Sequence, residues 1–257
     1  YGANDQMATS IIYKLNTGIT VAANVATAGI AAVKKSATYY SGAKGDEIMV
    51  YGQSYLNGSV DRTTLYTYVS DALASSLTYK DSVEVTTGVA PSMTGKELIQ
   101  KAFYTGVAGE ELMRYSEEWG NNSTGTNVIK TTTIYTYGAN DQMAKSIVYK
   151  LNTGITVLNN VATAGVTAVK KSATYYYGPR GEEKSLYSQT YYNGTFDKTT
   201  IYAYGATDAM ESAVTYRALA EVTTGILPTA SQLDKKTQES FYTGSQGEEK
   251  MSYSKEF

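Results

Sequence analysis

The sequence predicts an all-β protein in which tandem antiparallel β-meanders form an open, spiral or solenoid-like sheet with short connector helices. Three observations carry this prediction: a long internal repeat, a composition rich in Tyr and Gly, and alternating runs of residues bounded by turn signals. Of 257 residues, 25 are Tyr and 23 are Gly, whereas 4 are Phe, 3 are Pro and 1 is Trp. Tyr favours half-buried sheet surfaces, and Gly supplies the positive φ angles of tight strand turns.

The internal repeat has a period of 136 residues, the distance from position 1 to position 137. Segments 1–40 and 137–176 differ at only six positions. A weaker similarity at about half this period divides each copy again. We therefore expect four repeats that share one internal order, with bounds at 1–67, 68–136, 137–203 and a truncated 204–257.

The third repeat shows the predicted element order most clearly. The Asn193-Gly194 dipeptide indicates a type I′ hairpin, because both central positions of that turn need positive φ. Period-2 patterns on either side of it, bounded by Gly and Asn, are typical of strands. Four strands are therefore predicted, at 172–177, 183–192, 198–204 and 210–216.

The connectors between meanders are expected to be helical. In the odd repeats, segments 16–35 and 152–171 place small apolar residues on one helical face and end in a Lys pair. The even repeats have shorter connectors that contain Pro, with brief helices expected at 94–101 and 231–236. The uncharged stretch 15–33 is too rich in Asn, Thr and Gly to cross a membrane, so no membrane span is expected.

Composition removes several classes of function. The chain has neither Cys nor His, which excludes thiolate chemistry, Ser-His-Asp catalysis and His-ligated zinc. A net charge of −2 does not indicate the basic surface that nucleic-acid binding requires. An active site normally breaks the symmetry of a repeat, so we expect no enzyme and no cofactor, although a Ser-Lys pair or a Ca²⁺ site stays open.

A Gly-acid-Glu cluster recurs in each repeat. A polar turn after Gly explains it, and Ca²⁺ binding through carboxylate oxygens is the alternative. Adjacent residues on a strand face opposite sides, so two neighbouring carboxylates do not easily hold one ion. Asn-Asp and Asp-containing turns elsewhere have the same two interpretations, and turn chemistry is favoured. The clusters begin at Gly45, Gly109, Gly181 and Gly247.

Exposed aromatic faces are the candidate ligand site. Tyr and Trp rings can stack on sugars, although one member of each adjacent Tyr pair is expected to face the core. The candidate stacking residues are Tyr40, Trp119, Tyr176 and Tyr192.

Segments 135–143 (YTYGANDQM) and 193–204 (NGTFDKTTIYAY) resemble the YD repeat of RHS-type bacterial proteins and of teneurins. Gly138 stands where that family has Asp, and Asp141 stands where it prefers Gly. The family's C-terminal self-cleaving aspartyl segment has no match. The resemblance touches about half of the chain and implies linked hairpins that wind into a spiral or shell. It also implies a large surface or secreted parent.

The functional hypothesis that follows is a non-catalytic structural segment, such as a stalk, shell or fibre, of a large exported or cell-surface protein. Its expected partners are neighbouring repeats of the same chain, with self-assembly as an extension. The alternative is a carbohydrate- or protein-binding module that uses the Tyr-rich faces, with a glycan as partner. A closed four-bladed β-propeller is the third hypothesis. Since the chain begins without Met and stops within a repeat, we expect it to be a piece of a longer protein.

Overall fold

The computed structural model describes residues 5–14, 20–22, 25–29, 32–150, 154–158, 161–165 and 167–257. The chain forms two compact halves, Tyr1–Val128 and Ile129–Phe257, here called the N-terminal and C-terminal halves. In the part of the chain that the structure describes, the secondary-structure elements of both halves are β-strands, apart from one 3₁₀ turn. Among the described residues, no helix has the length and apolar character needed to cross a membrane.

The N-terminal half is an antiparallel meander. Its main sheet has the order β1-β4-β5-β6-β7-β8-β9, and β2 and β3 form a separate short hairpin. Every neighbouring pair in this order is antiparallel, and short turns join all of them except β1 with β4 and β7 with β8. The strands are β1 (Thr9–Lys14), β2 (Thr20–Ala22), β3 (Val25–Thr27), β4 (Val33–Ser41), β5 (Ile48–Leu56), β6 (Ser59–Val69), β7 (Ala72–Lys80), β8 (Leu98–Thr105) and β9 (Leu112–Asn121).

The C-terminal half repeats this arrangement. The boundary between the halves falls within β10, and the sheet order is β10-β11-β14-β15-β16-β17-β18-β19, with β12 and β13 as a separate hairpin. A 3₁₀ turn at Ala230–Gln232 precedes β18. The strands are β10 (Asn127–Tyr137), β11 (Met143–Lys150), β12 (Thr156–Leu158), β13 (Val161–Thr163), β14 (Val169–Tyr177), β15 (Lys184–Tyr192), β16 (Thr195–Tyr204), β17 (Met210–Ala218), β18 (Leu233–Thr243) and β19 (Lys250–Glu256).

The predicted all-β meander is confirmed. The four strands predicted in the third repeat correspond to β14, β15, β16 and β17. Strand order is linear in each half, so the sheet stays open. The N-terminal half joins seven strands into one sheet, whereas a propeller blade would end after four, so the propeller hypothesis is not supported.

The predicted type I′ hairpin is also confirmed. Asn193 and Gly194 have φ angles of 48° and 80°, and their equivalents Asn57 and Gly58 have 52° and 82°. This turn matches the right-handed twist of the flanking strands, which explains why the same dipeptide closes both hairpins. The Asp residues of the other predicted turns also take positive φ: Asp5, Asp71, Asp141 and Asp208.

The predicted connector helices are wrong. Within 16–35 and 152–171, the described residues form the β2–β3 and β12–β13 hairpins and the starts of β4 and β14. The cause is the content of Val and Thr, because β-branched side chains lose χ1 freedom in a helix and fit a pleated strand. Parts of both connectors lie outside the described residues. The helix predicted at 94–101 is a turn that leads into β8, and that at 231–236 is mostly β18.

One face of each main sheet is packed and the other carries polar side chains. In the N-terminal half the packed face includes Tyr39, Tyr51 and Thr63, which are 3%, 0% and 0% exposed. Two chain segments lie against these packed faces. We call residues 81–97, between β7 and β8, the first strap, and residues 219–232, between β17 and β18, the second strap.

Candidate functional site

Four stacked aromatic pairs mark equivalent places in the four repeats. Within each pair the two rings sit on adjacent antiparallel strands, and the loop between those strands carries the Gly-acid-Glu cluster. Stacking uses ring faces that would otherwise be free for a ligand. The pairs and their ring-centroid distances are Tyr39–Tyr51 (4.4 Å), Phe103–Tyr115 (4.2 Å), Tyr175–Tyr187 (4.5 Å) and Phe241–Tyr253 (4.5 Å).

The second Glu of each cluster locks its loop to an earlier turn. The Glu47 carboxylate accepts hydrogen bonds from the backbone N–H of Met7, at 2.8 Å, and from that of Gly45 in its own loop, at 2.9 Å. The same pair of hydrogen bonds recurs in the other three loops, and we call this pair the loop lock. Its other members are Glu111 with Leu73 and Gly109, Glu183 with Met143 and Gly181, and Glu249 with Met210 and Gly247.

The loop lock gives these carboxylates a structural role. Backbone N–H donation, chiefly from the earlier turn, holds the pKa of Glu47, Glu111, Glu183 and Glu249 below the usual value. The prediction of a turn at each cluster is confirmed, but the role of the second Glu is not visible from one loop alone. Among the described residues, no group of three or more acidic side chains is placed to hold a metal ion.

A buried glutamine, Gln53, forms hydrogen bonds with the backbone of the first strap. The Gln53 amide donates to the carbonyl of Val83 at 2.9 Å and accepts from the N–H of Val85 at 3.0 Å. The Tyr51 hydroxyl donates to the Val85 carbonyl at 3.1 Å. Gln53 is 2% exposed, so its amide must find partners inside the protein. The strap backbone therefore replaces the water that this side chain loses on folding.

A buried carboxylate fixes the start of the first strap. Asp81 is 6% exposed and accepts hydrogen bonds from Lys96 at 2.8 Å and from the Thr63 hydroxyl at 2.8 Å. Burial alone would raise its pKa, but these bonds and the backbone N–H groups of Ser82 and Val83 outweigh burial and lower it. Because Lys96 lies at the far end of the strap, this ion pair closes the strap into a loop.

The second strap repeats the Gln and Tyr hydrogen bonds of the first strap, whereas Ala218 stands at the position equivalent to Asp81. The Gln189 amide, oriented to satisfy both of its ends, donates to the Val222 carbonyl at 2.8 Å and accepts from the Val222 N–H at 3.0 Å. The Tyr187 hydroxyl donates to the same carbonyl at 3.2 Å. Glu221 accepts from Lys170 at 2.6 Å and from the Tyr191 hydroxyl at 2.7 Å. The Gln and Tyr bonds to the strap are thus shared by the two copies of the 136-residue repeat, and Glu84 of the first strap, the equivalent of Glu221, likewise bonds Lys34 and Tyr55.

Two hollows lie in the N-terminal half. The first is a shallow polar depression of about 320 Å³ on the polar face, centred near Gly52 and lined by Thr64 and Thr78, among others. The second, of about 880 Å³, lies among the loops around Ile48 and Asp71. In the C-terminal half the residues equivalent to Ile48 and Asp71 form an ion pair, Lys184 with Asp208.

The four candidate stacking residues are not brought together. Tyr40 and Trp119 lie on β4 and β9, which are not neighbours, and both are half-buried. Tyr176 is half-buried with its hydroxyl 3.0 Å from Ser146 Oγ, whereas Tyr192 is 74% exposed near the hairpin end of β15. The sugar-stacking role of these residues stays a prediction. The polar depression at Gly52 contains none of them.

Comparison with known proteins adds little. No protein-family model matches the sequence, and no curated protein matches it. A solved structure described as "Crystal Structure of TcdB2-TccC3-TEV" is similar at 10% identity and a TM-score of 0.25, over 94% of this chain. The match covers 14% of that chain, so this chain spans only a small part of its length. A likeness of this strength carries no argument about function.

Proposed function

We propose that the chain is a non-catalytic structural repeat segment, of the YD-repeat type, from a large exported or cell-surface protein. The observation that carries this proposal is the loop lock, which occurs once in each of the four repeats with its two backbone donors at equivalent positions. A device used four times in the same way serves the array as a whole. A catalytic group would instead be expected in one repeat and absent from the others.

Energetics support a scaffold role. A single four-stranded meander would leave two strand edges unpaired, and unpaired edges associate readily with other chains. Joining meanders in line pairs most of those edges and extends one core, so stability comes from contacts between neighbours. The loop lock adds a tie between each loop and the turn of the preceding hairpin. The partners of each repeat in this proposal are therefore its neighbours, and self-assembly extends the same rule to further copies.

Lengthening the array tests the proposal. A chain in which residues 1–136 are duplicated in tandem should unfold at a higher temperature and denaturant concentration than the original chain, because one more interface is added per repeat. The original chain with a Gly/Ser linker inserted between residues 136 and 137, at the end of β10, is the control and should lose stability because the linker interrupts the β10–β11 pairing. Two copies that unfold independently at the original temperature would contradict an array.

The location of the parent protein is a separate part of the proposal. An antibody raised against this chain should label intact cells that express the parent, or detect the parent in the medium. Labelling that appears only after the cells are permeabilised would contradict export. It would not contradict the proposal that the repeats form a structural array.

A further inference from the structure

Gly52 lies in the interior of β5, where a glycine is costly. Its φ is not in the left-handed region, and a Cβ added there would lie 3.6 Å from the Tyr66 hydroxyl and 3.8 Å from the Ala37 carbonyl oxygen. These are ordinary contacts, so neither backbone conformation nor crowding demands glycine. Glycine inside a strand lowers stability and often marks a place where a ligand approaches closely.

The other copy of the repeat has a side chain at the position equivalent to Gly52. The equivalent residue is Ser188, whose hydroxyl lies 2.9 Å from the Tyr202 hydroxyl. Tyr66 is the equivalent of Tyr202, and its hydroxyl points toward the place that Ser188 fills in the other half. The missing hydroxymethyl group thus opens space and leaves a phenol hydroxyl on the wall of the depression.

The lining of the depression is rich in hydroxyl groups. Gly52 is directly opposite Thr38 on β4 and Thr64 on β6, and Thr64 is opposite Thr78 on β7. The hydroxyls of Thr64 and Thr78 lie 2.9 Å apart, so one donates to the other, and each hydroxyl keeps further hydrogen-bonding capacity for a ligand. Strands β4, β6 and β7 therefore present hydroxyls on both sides of Gly52, which lies on β5 between them.

The charge of the lining favours a neutral ligand. Arg62 is the cation that lines the depression, and its Nε lies 3.1 Å from an Asp61 carboxylate oxygen. That carboxylate offsets the guanidinium charge and would repel an anion. Hydroxyls that can both donate and accept match the hydroxyls of a sugar, which also do both. The volume of about 320 Å³ is at the small end of ligand sites, the size range for one ring rather than a chain.

We propose that the depression at Gly52 binds one neutral sugar ring, with the Thr64, Thr78 and Tyr66 hydroxyls as hydrogen-bond partners. This site goes beyond the structural role of the array and does not depend on it. It also differs from the aromatic candidates, because hydrogen bonding to a polar sheet face, rather than stacking on exposed rings, selects the ligand. The site belongs to the first copy of the repeat, since Ser188 fills the same place in the second.

Nuclear magnetic resonance titration of the full chain with glucose, galactose, mannose and N-acetylglucosamine tests the proposal. At least one sugar should shift the amide signals of Thr38, Gly52, Thr64 and Thr78 with a saturable, millimolar dependence. Gly52→Ser, which copies the natural residue of the other half, should weaken that binding by about tenfold or more. Its melting temperature should stay the same or rise, so loss of binding cannot be assigned to unfolding.

The reciprocal variant sharpens the test. Ser188→Gly opens the equivalent place in the C-terminal half and should create sugar-dependent shifts at Thr200 and Thr215. Failure of all four sugars to shift the four amides overturns the proposal, as does binding that survives Gly52→Ser. Ser188→Gly without new shifts overturns the assignment of the site to the missing hydroxymethyl group. None of these outcomes bears on the lengthening experiment, so the two proposals fail separately.

Discussion

The Glu183 carboxylate accepts a hydrogen bond from the backbone N–H of Met143 at 2.8 Å, although the two residues are 40 positions apart. Met143 begins β11, and Glu183 ends the loop that follows β14, so the bond ties one hairpin end to the next. Turn N–H groups at sheet ends need partners, and a carboxylate is a strong acceptor. The loop lock therefore sets the relative position of neighbouring loops as well as satisfying one donor.

Replacing Glu183 with Ala should destabilise the chain. The variant leaves the N–H groups of Met143 and Gly181 to water, and we expect a loss of about 1 kcal/mol in the free energy of unfolding, since the site is partly exposed. Glu182→Ala is the matched control, because Glu182 is exposed and adjacent, and it should have little effect. Urea denaturation measures both. Equal losses in the two variants would show that the lock contributes nothing.

Acid should weaken the fold in a defined pH window. The loop-lock carboxylates and Asp81 have folded-state pKa values below those of the unfolded chain. A group with a depressed folded pKa contributes stability that is present above its unfolded pKa, about 3.9–4.3, and is lost as pH falls through the folded pKa. Stability should thus be nearly flat from neutral pH to about pH 5 and fall below about pH 4.

Urea denaturation from pH 7 to pH 2.5 checks this dependence. The Glu183→Gln variant should show a shallower acid decline than the original chain, because Gln does not titrate. A steeper decline in the variant would contradict the sign of the shift at Glu183. An unchanged decline would show that other carboxylates carry the whole effect.

Loss of the buried glutamine should release the first strap. Gln53→Ala removes an acceptor from the Val85 N–H and a donor from the Val83 carbonyl, and leaves a cavity. We expect a cost of about 2–3 kcal/mol in the free energy of unfolding and faster hydrogen exchange at the Val85 amide. Gln100→Ala, on an exposed position of β8, is the control and should change neither. Unaltered exchange at Val85 in Gln53→Ala would mean that the strap is held by other contacts.

The strands and tight turns could be predicted because their signals are local. Alternation and the Asn193-Gly194 dipeptide report on residues that are next to each other in sequence. The bonds of Gln53 to Val85 and of Glu183 to Met143 join residues 32 and 40 positions apart, and depend on strand register that no local pattern contains. The recurrence of this Glu in all four loops was the signal in the sequence that pointed to the loop lock. It indicated a shared role for the four Glu residues but did not identify the backbone N–H that each one binds.

The prediction of connector helices failed for a different reason. Val, Thr and Ala at 20–27 also satisfy a helical spacing, so periodicity alone did not distinguish a helix from two three-residue strands. The candidate sugar site was missed because it rests on an absent side chain. Gly52 and Ser188 differ by one hydroxymethyl group, and only the positions of Tyr66 and Tyr202 show what that difference does.

Two glycines should respond in opposite ways to alanine. Gly194 has a φ of +80°, and a Cβ there would lie 3.1 Å from Val169 Cγ1, so Gly194→Ala should cost more than about 1 kcal/mol in the free energy of unfolding. Gly52 has ordinary strand geometry and free space, so Gly52→Ala should stabilise by about 0.5–1 kcal/mol. Thermal and urea denaturation of both variants measure the difference. An unchanged free energy of unfolding in Gly194→Ala would remove the strain argument for the hairpin. A lower free energy of unfolding in Gly52→Ala would mean that Gly52 is kept for folding rather than for the space above it.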